Sequence, residues 1–278
     1  MAIQIPLSND ARAPETEGAH NVHIIAPDVA YLRTVLVNVI FLGVADAGDR
    51  NWVLVDTGII GARGKIIEAA AARFGEGARP AAIVMTHGHF DHTGALNELS
   101  REWDAPIYAH PLEVPFLNGQ EKYPPSDPGA DGGIMPKLSP LFPRSPIDVS
   151  DRLQILPDDG TVPFLPGWSW LHTPGHTPGH VSLWRESDRT LVAGDAVITT
   201  GQESAYEVAV QEPEMHGPPR YFTPDWLSAA ASTRKLAALQ PHLLITGHGR
   251  AMAGTEMLQA LEKLAAEFET TAPPHAKS

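Results

Sequence analysis

The sequence contains no cysteine in 278 residues. That excludes disulfides and thiolate metal ligands, although it does not fix the compartment. Long apolar runs are also missing. The longest, Val35 to Val44, is interrupted by Asn38 and Gly43, whereas a membrane-spanning helix needs roughly 20 consecutive apolar residues. Met1 to Ala19 is polar and acidic and holds Pro6 and Pro14, unlike a signal peptide. Basic clusters are absent too, since no more than two lysines or arginines are neighbours, and the formal net charge is −13. A nucleic-acid groove needs a basic stripe, so neither nucleic acid nor a membrane is an expected partner. The acidity itself reads mostly as solubility. The expectation is a cytoplasmic protein acting on a small molecule.

What the chain does have is Thr86-His87-Gly88-His89-Phe90-Asp91-His92, placed directly after the apolar run Ala82-Ile83-Val84-Met85. Imidazole and carboxylate suit zinc and other divalent transition metals. His87 and His89 alternate by two, so on an extended segment they point the same way. Asp91 and His92 come as the chain turns into Thr93 to Trp103, where Leu96, Leu99 and Trp103 sit at helical spacing. One turn can thus aim two residues at one metal and two at a second. A metal held this way lowers the pKa of a water molecule.

Further ligand candidates close other apolar runs. Trp168 to Leu171 leads into His172-Thr173-Pro174-Gly175-His176-Thr177-Pro178-Gly179-His180, Thr190 to Gly194 ends in Asp195, and Leu243 to Gly247 ends in His248. Loops at one edge of a sheet let such residues converge. Because candidates from His87 to His248 must meet, one domain over 1–278 is expected, with an ordered core of about 20–268. Asp56 closes a buried strand and is expected to hydrogen-bond loop backbone or orient a ligand histidine. His110 is expected to be structural.

The rest of the chain reads as α/β. Val35 to Phe41 and Trp52 to Val55 look like strands, and Gly64 to Phe74 like a helix stopped by Gly75. The stretch 111–166 is rich in proline and glycine, so it is neither a long helix nor a central strand. It reads as an insertion that serves as a lid or a homodimer contact. Thr223, Pro224 and Asp225 announce a helix, with Thr223 as the N-cap. Thr255 to Phe268 is an amphipathic helix over the core, and Thr270 to Ser278 a frayed tail.

Taken together, these segments resemble the metallo-β-lactamase-fold hydrolases, in the glyoxalase II and lactonase-like branch. His87-Gly88-His89-Phe90-Asp91-His92 is similar to the family's HxHxDH motif, Val55-Asp56-Thr57-Gly58 to the strand and turn before it, and Thr173 to His180 to its TPGHTPGH segment. Gly194-Asp195 and Gly247-His248-Gly249 fall at later ligand positions. The resemblance runs from about Val35 to Arg250. It implies a four-layer αββα sandwich of two mixed β-sheets flanked by helices. It assigns His87, His89 and His176 to one metal, Asp91, His92 and His248 to a second, and Asp195 to a bridge between them. His172 and His180 are not assigned as ligands, and His180 is left to support the site or begin a strand. The implied cofactors are two divalent ions, zinc first, with iron or manganese as substitutes.

The implied enzyme is a binuclear hydrolase that attacks an ester, lactone or thioester carbonyl with a metal-bound hydroxide, Asp91 shuttling the proton. Departures from subfamily patterns narrow this. The absence of cysteine removes the β-lactamase classes that use it as a ligand. Ala196-Val197-Ile198 follows Asp195, where glyoxalase II enzymes usually carry Cys-Gly and many homoserine-lactone lactonases a tyrosine. His89 argues against the flavodiiron carriers, which have glutamate there. The alternatives are a mononuclear iron oxygenase of the persulfide-dioxygenase kind and a β-lactam hydrolase. The substrate wall is expected from Tyr123, Ile134, Met135, Leu138 and Phe142 of the insertion, with Gln202, Glu203, Tyr206, Met215, His216, Tyr221 and Phe222 from the segment 198–222.

Overall fold

Valine, isoleucine, leucine and aromatic residues fill the segments that pair into the first sheet, and most of them are buried. The computed structural model describes residues 4–126, 147–201 and 212–268. Its chain divides into two compact units. The N-terminal unit runs from Pro14 to Tyr123 and takes in Arg144–Trp170; the C-terminal unit holds Met1–Ala13, Pro124–Pro143 and Leu171–Ser278.

Eight strands form the sheet of the N-terminal unit, in chain order: β2 (Thr16–Glu17), β3 (Val22–Ala26), β4 (Val29–Thr34), β5 (Val37–Leu42), β6 (Val53–Val55), β7 (Ala82–Val84), β8 (Ile107–Ala109) and β9 (Leu153–Ile155). From β2 to β6 the pairs are antiparallel, and from β6 to β9 they are parallel. Parallel neighbours need crossover connections. Helix α1 (Arg63–Phe74) supplies the first and α2 (Leu96–Glu102) the second. On α1, Ile66, Ala69, Ala70 and Phe74 are buried, and Phe74 stacks on Trp52 with ring centroids 4.3 Å apart. Gly75 ends the helix at φ +110°, its N–H reaching Ala71 O.

Two expectations change here. The strand read over Val35 to Phe41 is the second arm of a hairpin, β4 and β5, that turns at Val35 with φ +66°. Central strands covered on both faces read as continuous apolar runs, so the turn left no polar mark. The stretch 111–166 is not one loop: Pro111–Glu113 is a 3-10 turn, Val114–Leu117 a short helix α3, and β9 adds an edge strand. Ile134, Met135, Leu138 and Phe142 lie outside the described residues, as do Gln202, Glu203, Tyr206 and the tail from Thr270.

In the C-terminal unit β1 (Gln4–Pro6) pairs with β13 (Glu214–His216). The five-stranded sheet has the order β10 (Trp168–His172, of which Leu171 and His172 belong to this unit), β11 (Val181–Arg185), β12 (Thr190–Gly194), β14 (Leu243–Thr246) and β15 (Met252–Ala253). Helices α4 (Trp226–Ala238) and α5 (Gly254–Glu267) pack against each other. Met257, Leu261, Leu264 and Phe268 join Leu191, Ala193 and Leu244 in its core. Met215 belongs to that core as well, fully buried, so it packs instead of lining a wall. The N-cap of α4 is Asp225, which accepts from Ser228 N at 2.9 Å. The Ser228 N–H and hydroxyl hold the Asp225 carboxyl below the usual aspartate range. Thr223 is spent elsewhere.

The parallel pairs fix where side chains emerge. Asp56 follows β6 and His87 follows Met85 after β7, at one edge of the first sheet. Asp195 follows β12 and the loop to His248 follows β14, at one edge of the second. Loops beyond the carboxyl ends of parallel strands are the usual place for ligand groups. Among the described residues no helix is long and apolar enough to cross a membrane.

Candidate metal centre

Three imidazoles converge in the N-terminal unit. The His87 ring centroid lies 4.7 Å from that of His89 and 4.2 Å from that of His92. His87 and His92 are fully buried and His89 nearly so. Asp91 stands between them in the turn, partly exposed. Thr57 locks that turn by donating both its N–H and its hydroxyl to His92 O, at 2.8 and 2.7 Å.

Asp56 organises the cluster. It holds the left-handed conformation, φ +59°, which aspartate tolerates better than most residues. Its Oδ1 accepts Thr86 N–H at 2.8 Å, and its Oδ2 accepts the Thr86 hydroxyl at 2.7 Å and His92 Nδ1 at 2.8 Å. The Thr86 proton is therefore committed to Asp56, and Thr86 Oγ1 must accept from His87 Nδ1 across 3.0 Å. Both histidines thus carry the proton on Nδ1 and the lone pair on Nε2. That is the tautomer a metal ligand needs. The backbone hydrogen bond expected of Asp56 is present, and its carboxylate also orients the imidazole of His92.

The C-terminal unit gathers the other three candidates. Asp195 Oδ2 is 3.5 Å from His176 Nε2 and 3.1 Å from His248 Nε2. Bonds of about 2.0–2.1 Å at the tetrahedral angle put two donors of one zinc about 3.3 Å apart. Thr223 donates its hydroxyl to Pro219 O at 2.7 Å, so it can only accept from His176 Nδ1 at 3.2 Å. His176 then turns a lone pair toward a carboxylate oxygen, an arrangement that a cation between them stabilises. The donor set fits a divalent metal.

His176 depends on Gly175, whose φ is +132° and whose added Cβ would lie 2.3 Å from Ala229 N. Asp195 depends on His180. That fully buried ring accepts Asp195 N–H on Nε2 at 2.9 Å and donates from Nδ1 to Thr173 Oγ1 at 2.9 Å. Thr173 passes the sequence on to Ser182 Oγ at 3.0 Å, and Ser182 donates to Ala193 O at 2.9 Å. His180 therefore holds the backbone of Asp195, the supporting role foreseen for it. His172 Nε2 clasps Pro178 O at 2.8 Å, and His110 caps the 3-10 turn through Leu112 N at 3.2 Å. Both are structural. Tyr123, placed in the substrate wall by sequence, has its ring 4.4 Å from that of His89. Thr86, Thr223 and Glu113 escaped notice as site residues. Only Thr86 carried a signal, its place directly before His87.

The family model described as the metallo-beta-lactamase superfamily matches residues 32–248. A Bacillus subtilis (strain 168) protein described as the probable metallo-hydrolase YflN is 47% identical over 261 residues, covering 94% of this chain and 96% of its own. The structure of a B3 metallo-beta-lactamase with an active-site glutamic acid superposes with a TM-score of 0.61 at 18% identity, covering 95% of this chain and 97% of its own. TTHA1623 in a di-iron-bound form gives 0.51 at 26% identity, covering 83% and 95%. The fold class expected from sequence, mixed sheets flanked by helices, is the one they share.

Proposed function

Because the chain belongs to the metallo-beta-lactamase superfamily, we propose that its two donor sets serve one binuclear centre that hydrolyses an ester, lactone or thioester of a small molecule. His87, His89 and His176 would hold one ion, and Asp91, His92 and His248 the other, with Asp195 available to both. In this reading His87 and His89 group with His176, His87 and His92 with Asp195, and Asp91 and His92 with His248, each a donor set of the kind that could hold a metal ion. The observation that carries this reading is the tautomer pattern: His87, His92 and His176 each give the Nδ1 proton to a protein acceptor and so carry the lone pair on Nε2.

Divalent ions in such a set supply Lewis acidity and a water acidified toward neutral pH. The protein's share is orientation and proton transfer. Asp56 and Thr86 keep His87 and His92 in the ligating tautomer, and His180 fixes Asp195. Asp91, partly exposed in its turn, takes a proton on its carboxylate and returns it to the leaving group. Zinc is the metal we favour, with iron or manganese accepted by the same N/O donors.

Elemental analysis of metal-loaded protein is expected to approach two equivalents, and a hydrolysis screen over lactones, aryl esters, thioesters and β-lactams to yield a carbonyl substrate. In Asp91→Asn, turnover on the best substrate should fall by more than about a hundredfold, within the range of lost acid–base catalysis, and metal content must be measured alongside. A single tightly held iron with oxygen consumption on a persulfide, and no hydrolysis, defeats the proposal in favour of the oxygenase. Turnover confined to β-lactams favours the β-lactam hydrolase.

A further inference from the structure

We propose that Glu113 and Tyr123 form a positioning clamp on Gly88 that orients His89, and so sets the affinity and coordination of the metal held by His87 and His89. The inference rests on the metal-centre reading above. All residues of the clamp lie within the N-terminal unit.

Gly88 is the single residue between the two ligands. Its N–H reaches Glu113 Oε2 at 2.9 Å and the Tyr123 hydroxyl at 3.0 Å. Tyr123 in turn donates its hydroxyl to that same Glu113 oxygen. Glu113 is fully buried. A buried carboxylate carries a heavy desolvation cost unless it is paired or hydrogen-bonded. Packing alone could be satisfied by an apolar side chain, so an ionisable group here suggests a task beyond filling space. The donors it collects belong to the peptide that joins two metal ligands and to the ring that braces one of them.

Tyr123 is itself fixed. Its ring stacks on Phe116 with centroids 3.9 Å apart and 12° between planes, and meets the His89 ring at 4.4 Å and 63°. The hydroxyl therefore restrains the His87–His89 backbone while the ring restrains the imidazole. A Cβ on Gly88 would lie 2.7 Å from the Tyr123 oxygen, so the glycine is what admits the clamp. The negative charge of Glu113, one peptide away from two ligands and shielded from water, also favours a cation there.

Two variants test this. Tyr123→Phe keeps the stack and removes the hydroxyl; Glu113→Gln keeps the shape and removes the charge. The measurements are Zn2+ affinity by chelator competition, the visible spectrum of the cobalt(II)-substituted protein, and thermal unfolding of the metal-free chain. We expect Tyr123→Phe to weaken one of two metals about tenfold and Glu113→Gln by up to about a hundredfold, the range for residues that orient ligands. The cobalt spectrum should change in both, and metal-free Tyr123→Phe should melt close to the wild type. If Glu113→Gln does not fold, Tyr123→Phe decides alone. Wild-type affinity and an unchanged cobalt spectrum in Tyr123→Phe overturn the clamp and leave the metal centre standing. A wild-type protein that binds neither Zn2+ nor cobalt overturns the metal centre itself, and the clamp with it.

Discussion

Replacing Asp56 by asparagine should weaken metal binding without touching a ligand. The carboxylate receives three donors, Thr86 N–H, the Thr86 hydroxyl and His92 Nδ1. Asparagine offers one oxygen and one NH2 in the same space, so one position turns from acceptor to donor. If the oxygen stays on the Oδ2 side, the NH2 faces the buried Thr86 N–H, and leaving that donor unpaired costs about 1–3 kcal/mol. If the oxygen stays on the Oδ1 side, the NH2 faces the Thr86 hydroxyl and His92 Nδ1. His92 can then accept at Nδ1 only by moving its proton to Nε2. The Thr86 hydroxyl turns to accept from the NH2 and redirects its own proton to His87 Nδ1, which sends that proton to Nε2 as well. Two ligand atoms are then blocked until the tautomers revert, and loss of such an orienting partner weakens a site by about 10–100-fold.

Opposing this, asparagine relieves the desolvation of a buried charge, a relief felt most when no cation is present. The metal-free variant should therefore lose less stability than the loaded one. The assay is chelator competition for Zn2+ beside thermal unfolding with and without metal, with imidazole nitrogen NMR to read the tautomers. Affinity within twofold of the wild type, together with an equal gain in Tm on metal addition, refutes the reasoning.

Gly94→Ala should destabilise the ligand turn at the upper end of the roughly 1–3 kcal/mol typical of overpacking. Its Cβ would stand 2.1 Å from both Ile59 C and Ile60 N, which are backbone atoms that cannot step aside; a denaturant midpoint equal to the wild type contradicts this. Asp49 lies below the usual aspartate range because Arg79 donates to it from its side chain and its backbone. A depressed folded-state pKa gives stability that is present above the ordinary aspartate value and lost as pH falls below it. Asp49→Asn should thus be less stable than the wild type at neutral pH and equal to it in acid. Unfolding curves across pH that stay parallel rule this out.

Much of the architecture was legible because strand ends and ligands coincide. Runs such as Ala82 to Met85 and Thr190 to Gly194 lead within two residues to a histidine or an aspartate, and the structure places β7 and β12 there. The helix stop at Gly75 was also readable. What stayed hidden has physical causes. The hairpin between β4 and β5 turns on Val35, a residue with no turn chemistry, at φ +66°. The N-cap of α4 fell two residues late, because Thr223, Asp225 and Pro224 all suit a helix start and only the tertiary fold recruits the threonine to His176.

The candidate ligands were legible by type, since few side chains bind metal, and the partners that orient them were not. Each of the three candidate ligand histidines whose Nδ1 proton is placed uses a different partner: His87 the adjacent Thr86, His92 the distant Asp56, and His176 a threonine 47 residues away. No spacing rule connects these. A hydroxyl or a carboxylate serves equally well, provided its other hydrogen bonds leave it able only to accept. Thr86 is so constrained by Asp56 and Thr223 by Pro219 O. The constraint is a property of a network, read by following each proton to its acceptor, and it becomes visible only when the chain is folded. The same logic separates His180 from His176 within one motif. His180 spends Nε2 on Asp195 N–H and so cannot offer it to a metal, while His176 gives Nδ1 to Thr223 and turns the lone pair of Nε2 toward the Asp195 carboxylate. Four residues apart and alike in sequence, the two are told apart by which nitrogen the backbone has already claimed.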